Sequence, residues 1–238
     1  MRTRFKNEQM NKLPVIQREF KNEVSEDGSK TKLTIYGDIG TSWWGDSISA
    51  SDIKTSLESI TTKKLDVHIN SYGGDVFDGI AIYNQLKSHP AYVTIFIDGV
   101  AASAASLIAM AGDEVIVNIG GQIMIHEAST YAWGNKNEIQ KTLNALQSID
   151  KSIADIYMTR YVGEREEIDT MLVNETWFTA SESVEMGLAD KVNESTQNND
   201  TDPEEFKNSV LARFRNQKQV KNNENKNILD KFKRNSNE

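Results

Sequence analysis

The stretch Val93-Thr-Ile-Phe-Ile-Asp-Gly-Val-Ala-Ala-Ser-Ala-Ala-Ser-Leu-Ile-Ala-Met-Ala-Gly112 changes from a strand pattern to a helix pattern without a linker. Its first five residues are mostly β-branched or aromatic and predict a strand that ends near Gly99. The small residues Ala101 to Ala111 predict a helix that follows at once. Such a junction lies at the carboxyl end of a sheet, where open α/β proteins bind ligands. Ser103 therefore lies at a candidate functional position.

Strand and helix patterns alternate on both sides of this junction, which predicts an α/β fold. Before it, the sequence predicts a strand near Leu33 to Ile35, a capped helix over 48–60, a strand over Leu65 to Ile69 and a helix over Val76 to Leu86. After it come strands at Glu114 to Asn118 and Gln122 to His126 and a long helix over Asn137 to Tyr161. A capping box at Thr179 to Glu182 opens a short helix that Gly187 closes, and Leu188 to Val192 form the last predicted core element.

The composition excludes several classes of function. The chain has 238 residues, a net charge of −8 and a pI near 5.1, which disfavours nucleic-acid binding as its main role because phosphate contacts need clustered Lys and Arg. It contains no Cys, so disulfides, thiolate metal sites and cysteine nucleophiles are excluded. The charged start and the lack of about 18 consecutive apolar residues predict a cytoplasmic protein, in the host cytoplasm if a phage encodes it.

Changes in composition along the chain predict three parts. Residues 1–30 are polar and are predicted to form an N-terminal arm whose order depends on a partner. Residues 31–192 carry the alternating strand and helix patterns and are predicted to be one domain. Residues 193–238 are rich in Asn, Lys, Gln and Glu and are predicted to be a disordered C-terminal tail.

A serine nucleophile requires a base, and the chain offers only three histidines. His68 lies on the polar face of a predicted strand and His89 precedes Pro90 in a loop, so neither has a local chemical context. His126 ends an apolar strand just before a polar loop and could reach a site at the strand ends. The residues alone leave a second interpretation open, in which the Ala-rich segment around Ser103 is only a closely packed helix. The segment also lacks the Gly-x-Ser-x-Gly pattern of the α/β-hydrolases.

The turn Asn70-Ser-Tyr-Gly-Gly74 lies between a predicted strand and a predicted helix. Its two glycines allow backbone amides to face a ligand, as in a phosphate cradle or an oxyanion hole. The turn lacks the Gly-x-x-x-x-Gly-Lys pattern and has no Lys nearby, which disfavours phosphate.

Four blocks in this order resemble the signature blocks of the Clp protease family, a family of serine peptidases. They are Asn70 to Gly74, Gly99 to Ser103, Met124 to His126 and Trp177 to Asp190, and the resemblance covers roughly Leu33 to Val192. It implies a crotonase-like spiral of ββα units that assembles into a ring. It also implies a peptide or protein substrate and no metal or organic cofactor.

The resemblance assigns roles to individual residues. Ser103 corresponds to the nucleophile, His126 to the base, and the amides of Gly74 and Ala104 to the oxyanion donors. The family has an Asp as third member before the last block, but this chain has none there. Asn174 is the predicted replacement, and an Asn would stabilise the imidazolium less than a carboxylate.

Glu175 and Asp169 are the other candidates for the third member. All three side chains could also be solvated loop residues. Loss of the orienting charge could cost up to about 10⁴ in rate, so a weak or conditional enzyme is one expectation.

The sequence of the last block and the polar extensions at both ends of the chain resemble the phage-type branch of the family. The predicted role is that of a prohead protease, which cleaves scaffold and capsid precursors in head maturation. One alternative is a housekeeping Clp-type peptidase with an ATP-dependent unfoldase as partner. Another is a non-catalytic ring-forming assembly protein. An acyl-CoA hydratase shares the spiral but does not explain Ser103 with His126.

In the family the long helix stacks two rings. Burial of the helix against its own sheet would explain the same apolar spacing.

Overall fold

The structure is a computed structural model that describes residues 14–41 and 47–193. The strands are β1 Glu19–Val24, β2 Thr31–Tyr36, β3 Asp38–Ile39, β4 Ser47–Ile48, β5 Lys64–Ser71, β6 Tyr92–Ala102, β7 Glu114–Asn118, β8 Gln122–Ile125, β9 Thr176–Thr179 and β10 Lys191–Asn193. The helices are α1 Ala50–Glu58, α2 Val76–Lys87, α3 Ala104–Ala109, α4 Lys136–Tyr157, α5 Arg165–Val173 and α6 Ala180–Glu185. These elements confirm the predicted α/β class.

The central sheet is mostly parallel, with the strand order β1-β2-β5-β6-β7-β10. Strand β6 divides its pairing: Thr94 to Ile97 pair with β7, whereas Val100 to Ala102 pair with β8. Strand β8 then pairs antiparallel with β9. Because β8 lies beside the last residues of β6, the end of β8 is brought next to the β6–α3 junction.

The alternation in β5 explains why the sheet buries one face. Leu65, Val67 and Ile69 are fully buried, and each such side chain contributes roughly 1.5–3 kcal/mol on burial. The intervening His68 and Asn70 lie on the other face and are half-buried. The helices thus share an apolar core with one side of the sheet.

The sheet begins earlier than the sequence predicts. Strand β1 pairs antiparallel with β2 through six residue pairs, from Glu19 opposite Tyr36 to Val24 opposite Thr31. The predicted boundary between arm and domain, near residue 31, therefore falls inside a hairpin. Backbone pairing holds this strand although its side chains are mostly exposed, and a polar edge strand carries a weak hydrophobic signal. Residues 1–13 of the predicted arm and the predicted tail beyond Asn193 lie outside the described residues.

Most helix predictions are confirmed, with one omission. The capping boxes at Ser49 and Thr179 open α1 and α6, and Gly187 follows α6 with a φ of 76°. Helix α5 was not predicted, although Ile168 and Leu172 form its buried stripe. No helix within 14–41 and 47–193 has the length and apolar character that a membrane crossing requires.

Helix α4 is buried only over its last turns. Ile153 and Tyr157 are buried, but Ile139 and Leu143, at the start of the same apolar stripe, are each 47% exposed. Packing against α3 and α5 in the chain's own core therefore explains the C-terminal part of the stripe and leaves its first part without a cover among the described residues. The helix also ends four residues earlier than predicted, at Tyr157.

Candidate active site

Ser103 is the single residue between strand β6 and helix α3. Strand β6 ends at Ala102, α3 begins at Ala104, and Ser103 itself has a φ of 56° and a ψ of −126°. The predicted helix start at Ala101 is thus wrong by three residues, because pairing with β8 extends the strand. A non-glycine residue in this region costs roughly 1–3 kcal/mol and persists only where its surroundings impose it. The same sharp strand-to-helix turn exposes the serine of α/β-hydrolases, here without their glycines.

Two glycines of the preceding segment make room for this turn. A Cβ atom on Gly73 would lie 2.5 Å from the carbonyl oxygen of Ala102 and 2.9 Å from the Cβ of Ser103. A Cβ atom on Gly79, in α2, would lie 2.9 Å from the Cβ of Ala104. Both distances to Cβ atoms are shorter than real side chains tolerate, so the segment 73–79 packs on the junction only because these positions lack side chains.

His126 follows β8 directly and meets Ser103 across the sheet. Its Nε2 atom lies 2.7 Å from the Oγ of Ser103. The backbone reinforces this approach, since the N–H of Ser103 donates to the carbonyl of Met124 at 2.9 Å. When Nε2 is unprotonated it accepts the Ser103 proton, which is the geometry that a general base needs.

The amides that the sequence predicts as oxyanion donors both lie near Gly73: Gly74 follows it in the chain, and the N of Ala104 lies 2.8 Å from the position that a Cβ on Gly73 would take. The N–H of Ala104 is the first of α3 and has no acceptor within its own helix. Ile39 donates to the carbonyl of Gly73 and accepts from the N–H of Asp75, so it bonds to the residues on both sides of Gly74. In such a ladder the N–H of Gly74 points away from Ile39. A Cβ on Gly74 would collide with the carbonyl of Ile39.

The three candidates for the third member occupy different places. Asn174 is the C-cap of α5; its backbone N–H donates to Thr170, and the residue is exposed. Asp169 is an exposed side chain on α5, in an ion pair with Arg165 at 3.1 Å. Glu175 follows with a φ of 52° and directly precedes β9.

The pairing of β8 with β9 bears on the choice between Asn174 and Glu175. The antiparallel pairs end with Ile125 opposite Thr176. His126 directly follows β8 and Glu175 directly precedes β9, so both residues adjoin this last pair. The N–H of Glu127 also donates to the carbonyl of Leu172, which joins the segment after His126 to the end of α5.

A polar cluster on the other face of the sheet was missed from the sequence. The Asp98 carboxylate accepts from Tyr36 at 2.5 Å and from Asn118 at 2.6 Å, and it lies 2.7 Å from the Nδ1 of His68. The His68 ring also stacks on Phe96 with centroids 4.7 Å apart. Each partner is on a different strand, so no local pattern could have found this cluster.

The charge of Asp98 is stabilised in this cluster. Burial alone would raise the pKa of its carboxyl, but the hydrogen bonds from His68 and Tyr36 outweigh burial and leave the pKa below its ordinary value. His89, in contrast, has a local partner, since its Nδ1 accepts from the N–H of Ala91 at 3.2 Å. Within the described residues, the side-chain hydrogen bonds of His68 and His89 go to Asp98 and Ala91 and not to Ser103.

The part of the chain that the structure describes contains no group of three or more His, Asp or Glu side chains arranged to hold a metal ion. The groups that meet at the Ser103 junction are a hydroxyl, an imidazole and backbone amides. Such a set suits acyl transfer, in which a nucleophile, a proton acceptor and oxyanion donors act together.

Comparisons with known proteins identify the family of the chain. The family model for Clp protease matches residues 47–196. The chain is 30% identical over 128 residues to ATP-dependent Clp protease proteolytic subunit 1 of Chlamydia abortus, covering 52% of this chain and 67% of that protein. It is 28% identical over 132 residues to an ATP-dependent Clp protease proteolytic subunit of Bacteroides thetaiotaomicron, covering 55% of this chain and 60% of that protein. The chain therefore belongs to the Clp protease family of serine-type endopeptidases.

Proposed function

We propose that the chain hydrolyses peptide bonds through an acyl-enzyme on Ser103. The observation that carries this proposal is the 2.7 Å distance between the Ser103 Oγ and the His126 Nε2. It is supported by the strained conformation of Ser103, because a junction that stores strain without a function is rare.

The reaction has two halves. The Ser103 Oγ attacks the scissile carbonyl carbon while His126 takes its proton, and the N–H groups of Gly74 and Ala104 donate to the resulting oxyanion. The imidazolium then protonates the leaving amine, which departs with the C-terminal part of the substrate. Water, deprotonated by His126, attacks the ester carbon, and the proton returns to the Ser103 oxygen as the acid product leaves.

Glu175 is a better candidate than Asn174 for the group that orients His126. This choice is supported by the end of the β8–β9 pairing, because His126 and Glu175 both adjoin its last pair, whereas Asn174 lies one residue further away and caps a helix. The N–H of Glu175 donates to the carbonyl of Leu172 at 3.3 Å, which fixes its backbone to the end of α5. A carboxylate would also stabilise the imidazolium that forms during the reaction, which an amide does less well.

The biological role in this proposal is that of the peptidase subunit of a ring assembly. The names of both similar relatives, proteolytic subunits of ATP-dependent Clp proteases, favour the housekeeping interpretation with an unfoldase partner over the prohead interpretation. The cytoplasmic location stays a prediction.

The prohead role rests on the sequence of the block from Trp177 to Asp190 and on the polar extensions at both ends of the chain. The two roles differ in their need for ATP. Cleavage of a co-expressed scaffold protein without ATP would support the prohead role. Co-purification with an unfoldase and ATP-dependent degradation of a folded substrate would support the other.

Contact with further copies of the chain has its own support. Ile139 and Leu143 are exposed on α4, and the loop before this helix exposes 77% of Tyr131 and 98% of Trp133. Apolar side chains of this size in one region indicate a protein contact. A second copy that lays the same helix against this surface would bury them.

A fluorophosphonate probe tests the enzymatic proposal directly. The assembled protein is expected to be labelled at Ser103, and Ser103→Ala is expected to abolish both labelling and peptidase activity. The exposed Ser181 offers a matched control, since Ser181→Ala should leave both unchanged. Equal labelling of the Ser103→Ala variant would contradict Ser103 as the nucleophile, and no labelling of the assembled wild type would support the non-catalytic assembly protein instead.

A further inference from the structure

Ser106 is a second serine at the junction that the reaction does not use. It lies one helical turn after Ser103, and its side chain is fully buried. Its Oγ is 2.7 Å from the carbonyl oxygen of Ser103, 2.9 Å from that of Met124 and 2.7 Å from the hydroxyl of Tyr157. One hydroxyl thus contacts three separate elements of the site.

The chemistry of the partners decides the direction of these hydrogen bonds. Carbonyl oxygens only accept, so the single proton of Ser106 is shared between Ser103 and Met124. The Tyr157 hydroxyl must then donate to Ser106. Burial raises the pKa of Tyr157, which keeps that donor proton in place at neutral pH.

These contacts join the two reacting side chains through their backbones. Met124 lies two residues before His126. Its carbonyl accepts from the N–H of Ser103 and from the hydroxyl of Ser106. The carbonyl of Ser103 belongs to the strained residue itself. Ser106 therefore holds the strand that carries the base against the turn that carries the nucleophile.

Tyr157 connects this arrangement to α4. It is the last residue of that helix and is 1% exposed, and its hydroxyl is directed to Ser106 from outside the junction. The position of the end of α4 is thereby tied to the conformation of Ser103.

We propose that Ser106 and Tyr157 form a positioning pair that keeps Ser103 and His126 at reacting distance. This inference rests on the proposed function of Ser103. Neither residue touches the substrate; both act through the backbone of Ser103 and Met124. A misplacement of about 1 Å at a reacting atom can cost about 100-fold in rate, so small losses of fit at this pair have large effects.

A second buried serine provides a matched control. Ser183 in α6 is also fully buried, and its hydroxyl donates to the carbonyl of Thr179 at 2.8 Å. Ser106→Ala and Ser183→Ala therefore remove the same atom from comparable surroundings. Only the first removes a contact with the Ser103 junction.

The test measures kcat and KM for a peptide substrate after active sites have been counted with the fluorophosphonate probe. Ser106→Ala is expected to lower kcat about 10- to 100-fold, with KM changed less than about 2-fold. Tyr157→Phe should lower kcat by a smaller factor because Ser106 keeps its bonds to both carbonyls. The double variant should match Ser106→Ala, since both residues act along one chain of contacts.

The midpoint of the pH–rate profile should stay where it is in the wild type, because the base itself is unchanged. The proposal is overturned if kcat per active site in Ser106→Ala stays within about 2-fold of wild type, or if Ser183→Ala loses as much. Multiplicative losses in the double variant would also overturn it. Failure of the proposed function is a different result, namely full activity in Ser103→Ala.

Discussion

Substitution of Gly73 by Ala would test how tightly the Ser103 junction is packed. The new Cβ would lie 2.5 Å from the carbonyl oxygen of Ala102, 2.8 Å from the N of Ala104 and 2.9 Å from the Cβ of Ser103. Ordinary contacts begin at 3.4 Å, so the deficits are about 0.9, 0.6 and 0.5 Å. Two of the three atoms are backbone and cannot rotate aside. Either the junction or the Gly73 segment must therefore move by more than half an ångström.

A shift of this size at the nucleophile is expected to lower kcat about 10- to 100-fold. Gly73 also has a φ of +90°, which strains any alanine, and this cost has to be separated from the collision. Gly120 is the matched control, because its φ is +80° and nothing lies within 4 Å of its Cβ position. Gly120→Ala carries the backbone strain without the contact.

The assay compares peptide hydrolysis and the rate of fluorophosphonate labelling for both variants, together with their thermal midpoints. Gly120→Ala should lose stability by about 1 kcal/mol and keep its activity. Gly73→Ala should lose stability and also turnover per folded molecule. Equal turnover of the two variants would refute the argument that close packing of Gly73 holds the Ser103 turn.

Three further predictions follow from the site and its surroundings. Glu175→Gln is expected to lower kcat by about 10² to 10⁴, whereas Asn174→Ala stays within about 2-fold; the reverse order in a peptidase assay would restore Asn174 as the orienting residue. Asp98 has a lowered folded-state pKa, so its contribution to stability is present above its unfolded pKa of about 4 and is lost as the pH falls through the folded value. Urea denaturation between pH 2 and 7 should therefore show a shallower acid loss in Asp98→Asn, and an unchanged slope would contradict the cluster's role. Replacement of Ile139 and Leu143 by Lys should reduce the assembly size in sedimentation, and an unaltered assembly would remove α4 from the contact.

Most core strands and helices were predictable because their signals are local, and His126 could be proposed as the partner of Ser103 because the candidates were few. Strands such as β5 are predicted by the alternation of apolar and polar residues, and helices such as α1 by their capping residues. The chain has three histidines and no cysteine, so only three candidates for the base of a serine nucleophile had to be compared. The approach of Ser103 and His126 to 2.7 Å agrees with that prediction.

The remaining features depend on contacts between distant parts of the chain. Ser103 leaves the predicted helix because β8 extends β6 by pairing, a contact over more than twenty residues. Strand β1 lacks an apolar pattern and exists through its partner strand. His68 contacts Asp98, which lies thirty residues later in the chain on the neighbouring strand.

By itself the sequence determined the α/β class, since periodicity and capping act within a few residues of each position. It predicted Ser103 with His126 through four ordered blocks that resemble one family. Only the tertiary structure decided how the Ser103 junction is built. It moved Ser103 out of the predicted helix into a strained turn, and it paired β8 with β9 up to the residues next to His126 and Glu175. It also brought Tyr157 to Ser106 across 51 residues. The physical reason is that strand register and close packing join residues that no local pattern relates, and only the folded chain satisfies both at once.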